Sequence, residues 1–342
     1  MTMQSKGVRP NGVPVPQSGR AGEAMVFRLK DFLMRILKEQ TLIVVFVFII
    51  IAMGASTPVF LTTRNLLNIL LQTSMTAISA AGMTMIILMA DIDLSVGSIA
   101  ALAGVIGAKL QVVYGWHTLP AVVLPLAVSF VLGLASGLVV AKLSVHSFVV
   151  TLGMLSIARG FCLILTDGQP VSGLSASFNY LGQGIIGFVP LPAIVMLGVI
   201  LIIGFVLSQT KFGRGIYAIG GNKEAARLSG IPVDRIRILV FGLCATLSGM
   251  AGIILAGRVT SGQPVAWQGA ELDVIASVII GGTSLYGGRG GVGKTLIGAL
   301  ILGILRNGFN LIGVTPYWQR VFIGFLIVLT VVLDRLQHRN EE

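Results

Sequence analysis

The sequence predicts an all-α integral membrane protein of about ten transmembrane helices, and three observations carry that prediction. Of 342 residues, 55% are hydrophobic and only 11% charged, and the mean hydropathy is +0.93. A soluble domain carries about 25% charged residues, so this chain lacks the polar shell that would hide so much apolar surface. The apolar residues fall into ten runs separated by short polar connections. The basic residues cluster in alternate connections and form no single stripe, which argues against a nucleic-acid partner despite a net charge of +11.

Taken in order, residues 1 to about 24 are polar and contain Pro, Gly and Ser, and predict a disordered cytoplasmic tail. They do not read as a signal peptide, because the first apolar run starts late and is too long. Residues 25–40, Met25 to Gln40, read as a basic amphipathic helix at the membrane surface. The ten runs lie near 41–57, 69–90, 96–113, 119–141, 147–166, 190–208, 236–257, 274–286, 295–313 and 319–334. The eighth is short for a span and reads as broken or partly re-entrant. The chain thus divides into a tail and lead-in (1–40), a transmembrane domain (41–335) and a C-terminal tail (336–342). The 44 glycines are spread through the apolar runs, as close helix packing in lipid requires.

Lysine and arginine concentrate on the cytoplasmic side of membrane proteins. With the N-terminus inside, eighteen of the 24 fall inside and only Arg64 and Arg258 outside. Lys109, Arg159, Arg306 and Arg320 fall within or at the edges of spans. Both termini are therefore expected in the cytoplasm. Trp116, Trp267 and Trp318 then lie in or beside outer connections, at the interface that tryptophan favours. Three connections exceed turn length: 167–189 and 258–273 outside, and the charged loop 209–235 inside.

Cys162 and Cys244 lie inside apolar runs and read as small apolar filler; with His117, His146 and His338 they offer no metal-ligand spacing. Gly288 to Thr295 (Gly-Arg-Gly-Gly-Val-Gly-Lys-Thr) fits the P-loop pattern. A P-loop needs a strand before it and a soluble α/β domain around it; here both flanks are apolar spans. The stretch reads instead as a tight glycine turn between packed helices, with Lys294 as a cytoplasmic charge.

Asn222 to Gly230 reads as a short polar helix stopped by Gly230-Ile231-Pro232. Asp91 and Asp93 interrupt an otherwise nearly continuous apolar run from 77 to 108. An acid at membrane depth is costly and is a functional candidate by default. Equally open is a cytoplasmic turn in which Asp93 caps the next helix. The paired carboxylates also suit acid/base work, but no other enzyme feature accompanies them.

Glu224, Ala225, Ala226 and Gly230 match the Glu-Ala-Ala-x-x-x-Gly core of ABC importer permeases. The run Ile92-Asp93-Leu94-Ser95-Val96-Gly97-Ser98 resembles a signature of the ribose-type members of that group. Phe212-Gly213-Arg214, Gly220-Gly221-Asn222, Leu228-Ser229-Gly230-Ile231, Gly281-Gly282-Thr283-Ser284-Leu285, Gly287-Gly288-Arg289-Gly290, Thr295 to Ala299 and Asn307 to Val314 are similar too, in order, from about residue 56 to 335. Two positions depart from the pattern: Asp91 and Lys294 stand where the family usually has Gly. A weak internal echo links Val96-Gly97-Ser98 to Gly293-Lys294-Thr295, each opening a helix of small residues after a break.

The resemblance implies a permease that pairs with a second copy of itself or a paralogue within the lipid of the bacterial inner membrane. A cytoplasmic ABC ATPase, which uses ATP and magnesium, would dock on Asn222, Glu224, Ala225, Ala226, Arg227 and Gly230. A periplasmic sugar-binding protein would dock on the outer loops. No cofactor is expected in this subunit. Candidates to line the path of a ribose-like solute are Gln72, Thr73, Asp91, Asp93, Ser95, Thr283 and Ser284. Two rivals use the aspartates differently: an ion-coupled secondary transporter, which would work on a gradient alone, and a membrane-embedded enzyme, which would convert its substrate.

Overall fold

The computed structural model describes residues 41–339. The predicted N-terminal tail and lead-in helix, and the last three residues, lie outside that range. Helices dominate: α1 (Thr41–Ser56), α2 (Thr63–Leu88), α3 (Val96–Val112), α4 (Thr118–Lys142), α5 (Ser147–Thr166), α6 (Ala176–Gln183), α7 (Leu191–Gln209), α8 (Lys211–Gly221), α9 (Lys223–Leu228), α10 (Val233–Val259), α11 (Ala270–Ile280), α12 (Val292–Leu311) and α13 (Pro316–Arg339). Every predicted apolar run overlaps one of these. Among the described residues, six helices (α2, α4, α5, α7, α10 and α12) are long and apolar enough to cross a membrane. α11, at 11 residues, rises only about 16 Å, roughly half a hydrocarbon core.

The centre is α2 and α10. α10 packs against α4, α3 and α2, and α2 also meets α12, α11 and α7. The most apolar stretch of α2 is 78% buried and that of α5 only 17%, so α2 is a protein-facing axle while α5 turns its side chains outward. This explains why α2, the less hydropathic of the two, tolerates Ser74, Ser79 and Thr84 in its buried length. Close approach needs missing side chains: a Cβ on Gly252 of α10 would fall 1.8 Å from the Ala100 carbonyl oxygen of α3.

With no water in the hydrocarbon, polar groups must find protein partners. The hydroxyls of Thr84, Ser129, Thr151, Thr166, Ser208, Thr246, Ser248 and Ser277 each donate to the carbonyl four residues back. Ser129 donates to the carbonyl of Pro125, the proline inside α4. Asn65 and Asn307 exchange two side-chain hydrogen bonds of 2.8 Å across α2 and α12.

Three of the four charges predicted within or at the edges of spans are also held. Arg159 donates to the carbonyls of Pro264 and Ala266 (2.6 and 3.0 Å), Lys109 to that of Leu165, and Arg306 pairs with Asp273. The two predicted outer loops are not independent. β1 (Val171–Ser172) pairs antiparallel with β4 (Ser261–Gly262), and β2 (Ile185–Ile186) with β3 (Val189–Pro190). The first loop also carries α6, whose Phe178 is fully buried.

Candidate functional site

The break between α2 and α3 is where the sequence places its two aspartates. α2 ends at Leu88, and Ala90 takes a left-handed backbone (φ 59°) that turns the chain. Asp91 then meets Arg237 of α10 in a two-pronged ion pair, with Nε to Oδ2 at 2.9 Å and Nη2 to Oδ1 at 2.7 Å. Both side chains are about nine-tenths buried. A third guanidinium nitrogen, Nη1, reaches the Val140 carbonyl of α4 at 3.4 Å. The extra carboxylate at 91 is thus matched by a cation and adds no net charge to the interior. A planar fork against a carboxylate is the strong geometry for such a pair.

Asp93 behaves differently. Its Oδ1 accepts from the Ser95 backbone N–H (2.8 Å) and from Ser95 Oγ (2.5 Å), folding the carboxylate back over the start of α3. Its Oδ2 is buried and has no protein hydrogen-bond partner. The break's backbone is tied to α5: the Ile92 N–H donates to Ser147 Oγ (3.2 Å), and the Ile92 carbonyl lies 3.3 Å from Thr151 Oγ1, whose one proton it shares with the nearer Ser147 carbonyl (2.9 Å).

The glycine turn from 281 to 291 packs beside this break. The Gly288 N–H donates to the Leu88 carbonyl at 2.9 Å, closing the end of α2. Gly220 of α8 lies so close that a Cβ there would sit 1.8 Å from the same oxygen and 2.5 Å from Gly288 N. Tyr217 of α8 donates its hydroxyl to the Gly290 carbonyl at 2.9 Å. The Thr295 hydroxyl, which a P-loop would turn toward magnesium, is buried against Thr84 Oγ1 at 2.8 Å. The stretch has the geometry of a helix-packing turn, with Lys294 exposed at its end.

The predicted polar helix is α9. Asn222 caps it, its Oδ1 accepting from the Ala225 N–H at 2.9 Å. Gly230, in a left-handed conformation (φ 79°), ends it, and the Ile231 N–H returns to the Ala226 carbonyl at 3.1 Å. Arg227 lies 3.7 Å from Glu224 and 3.6 Å from Asp234, and Asp234 also pairs with Lys142 at 3.0 Å. These exposed pairs set register more than stability. Ala226 is buried while Leu228 is 88% exposed, an apolar tip on a charged helix.

The seven path candidates do not converge on one spot. Asp91, Asp93 and Ser95 share the break. Thr283 and Ser284 belong to the glycine turn, where Thr283 wedges against Gly290 and Ser284 Oγ accepts from the Tyr286 N–H at 3.3 Å. Thr73 is buried against Gly303 of α12, and Gln72 donates to Asn68 Oδ1 at 3.0 Å. Sequence reasoning missed Arg237, which it counted only among the inner charges. A signal was present: Arg237 falls on the buried stripe of Val233, Ile236, Val240, Phe241 and Cys244, at helical spacing. Charge on an apolar stripe demands a partner.

Residues 65–331 match the family described as branched-chain amino acid transport system / permease component. The chain belongs to this permease family. The permease is 45% identical over 302 residues (87% of this chain, 94% of the relative) to the ribose import permease protein RbsC of Escherichia coli strain K12. It is 42% identical over 289 residues (84% and 89%) to RbsC of Bacillus subtilis strain 168. To the D-allose transport system permease protein AlsC of E. coli K12 it is 39% identical over 300 residues (87% and 92%). No solved structure matches it.

Proposed function

We propose that the permease is the membrane subunit of an ATP-driven ABC importer that carries a ribose-like monosaccharide or a related small polar solute. The observation that carries this reading is 45% identity across 94% of a ribose import permease. The family description names amino acids, but the relatives at 39–45% identity are named for ribose, allose and arabinose import.

Energy comes from a separate cytoplasmic ATPase that holds ATP and magnesium. It docks on α9, where Leu228 projects and Arg227, Glu224 and Asp234 fix register. Small, exposed Ala225 lets the partner approach closely while Ala226 packs inward, and the rim charges steer it. A periplasmic binding protein delivers the solute to the face formed by 167–189 and 258–273. A second copy or a paralogue completes the path. Ten helices cross the inner membrane, with both termini in the cytoplasm and α9 on the same side.

The path draws on Gln72, Thr73, Asp91, Asp93, Ser95, Thr283 and Ser284. A hydrated route with weak contacts suits release, because a tight site would hold the solute. The ion-coupled alternative has no support: Asp91, one of its two carboxylates, is already held by Arg237.

Co-purification with the partner ATPase tests the docking surface. Leu228→Asp is expected to lose the ATPase while the permease still inserts in the membrane; undiminished co-purification counts against α9. Asp93→Asn, and Asp91→Asn paired with Arg237→Gln so that no lone charge is buried, are expected to insert normally and alter uptake; unchanged uptake in both removes the aspartates from the path.

A further inference from the structure

A cavity of about 390 Å³ opens beside the ion pair, between the α2–α3 break, the α4–α5 connection and the start of α9. Its size is that of a small-molecule pocket. Asp91, Arg237, His146, Ser147, Asn222 and Lys223 line it, and its wall is as much polar as apolar. Two wall positions, Ala90 (φ 59°) and Ser144 (φ 55°), hold left-handed backbone without being glycine. That conformation costs about 1–2 kcal/mol per residue and persists where surrounding structure imposes it, often at binding sites.

The pair at the wall is not saturated. Asp91 accepts one hydrogen bond on each oxygen, about half of what a carboxylate can take. Arg237 uses three of its roughly five N–H donors. A buried carboxylate and guanidinium with spare capacity present acceptors and donors side by side. Neighbouring hydroxyls on one ligand, each both donor and acceptor, match that alternation. Asp91 and Arg237 cancel and Lys223 remains, so a cation is disfavoured, and the alternating donors and acceptors suit a polyhydroxylated molecule.

We infer that this cavity is a solute site within a single subunit, on the face that bears α9, and that it takes a free monosaccharide. The inference rests on the importer reading for the identity of the solute and for calling this the release side. A sugar held here is one that has already crossed, so the site fills when internal sugar is high.

Saturation-transfer NMR with D-ribose on the full-length permease in nanodiscs, without ATPase or binding protein, tests it. Gly221 lines the cavity, and a Cβ there meets nothing within 4 Å, so Gly221→Trp fills the space without displacing backbone. D-ribose is expected to give a saturable signal that Gly221→Trp abolishes. The paired variant Asp91→Asn/Arg237→Gln, which keeps a neutral hydrogen-bonded pair, is expected to weaken it at least about tenfold. Both variants are compared at matched thermal midpoints. No signal from D-ribose, D-allose or L-arabinose overturns the proposal. So does a signal that both variants leave unchanged, or displacement of the sugar by inorganic phosphate or L-leucine. Because binding is read on the permease alone, failed uptake by the assembled importer would overturn the proposed function and not this site.

Discussion

Asp91 and Arg237, 146 residues apart in sequence, form a buried fork-to-carboxylate ion pair that ties the α2–α3 break to the first turns of α10. α10 follows directly on the loop that carries α9. The pair therefore connects the loop that carries α9 to the point where the chain turns inside the bundle.

Breaking that pair leaves one buried charge alone. Arg237→Ala and Asp91→Ala are each expected to destabilise the permease by about 3–5 kcal/mol. The double change to Asn and Gln should cost clearly less than either single truncation. Thermal unfolding of the three purified variants in one detergent checks the order. A double-variant loss equal to the sum of the two single losses would mean that the two residues act independently.

Asp93 holds the start of α3 through one oxygen. Asparagine keeps that acceptor and replaces the unpartnered oxygen, whereas alanine removes both. Asp93→Ala is expected to cost about 1 kcal/mol and Asp93→Asn little of it. The same unfolding series reads this; a large loss in Asp93→Asn would mean that the second oxygen has a partner in the membrane.

α10 and α3 touch at Gly252. Placing a Cβ 1.8 Å from the Ala100 oxygen must push the helices apart. Gly252→Val is expected to cost about 3 kcal/mol or more and to lower folded yield. Normal yield and midpoint would show that the helices are further apart than described.

Gly230 has open space around it but a left-handed backbone. Gly230→Val therefore strains the end of α9 by about 1–2 kcal/mol instead of clashing. It is expected to leave the bundle folded while ATP hydrolysis in the assembled importer proceeds with much less uptake. Coupled uptake at the original ratio would remove α9 from the transmission.

Much of the fold was legible because lipid imposes a simple rule. A helix that must satisfy its own backbone shows as an apolar run; each of the ten runs overlaps a helix, and among the described residues six of these are long and apolar enough to cross a membrane. Asp93 was legible as a turn residue ahead of α3 as well as a path candidate; its carboxylate holds Ser95, the residue before the helix, and does not cap the helix itself. The partner of Asp91 was not, because nothing local records which distant helix brings a cation to it. The glycine turn read correctly as packing, but its contacts with Leu88 and Gly220 come from three separate segments. The two-residue strands joining the outer loops are too short to leave any period, and α6 has only two turns. The path candidates were chosen for polarity, a criterion that cannot separate Thr73, packed on Gly303, from a side chain facing open space.

The central claim is that this chain supplies a route while another protein supplies the energy. Uptake of labelled D-ribose into vesicles carrying the permease, its ATPase and the binding protein tests this most directly, with ATP on the face that bears α9. The account predicts uptake that needs ATP and all three proteins, and none from a proton or sodium gradient with the permease alone. Gradient-driven uptake by the permease without ATPase or binding protein would contradict it.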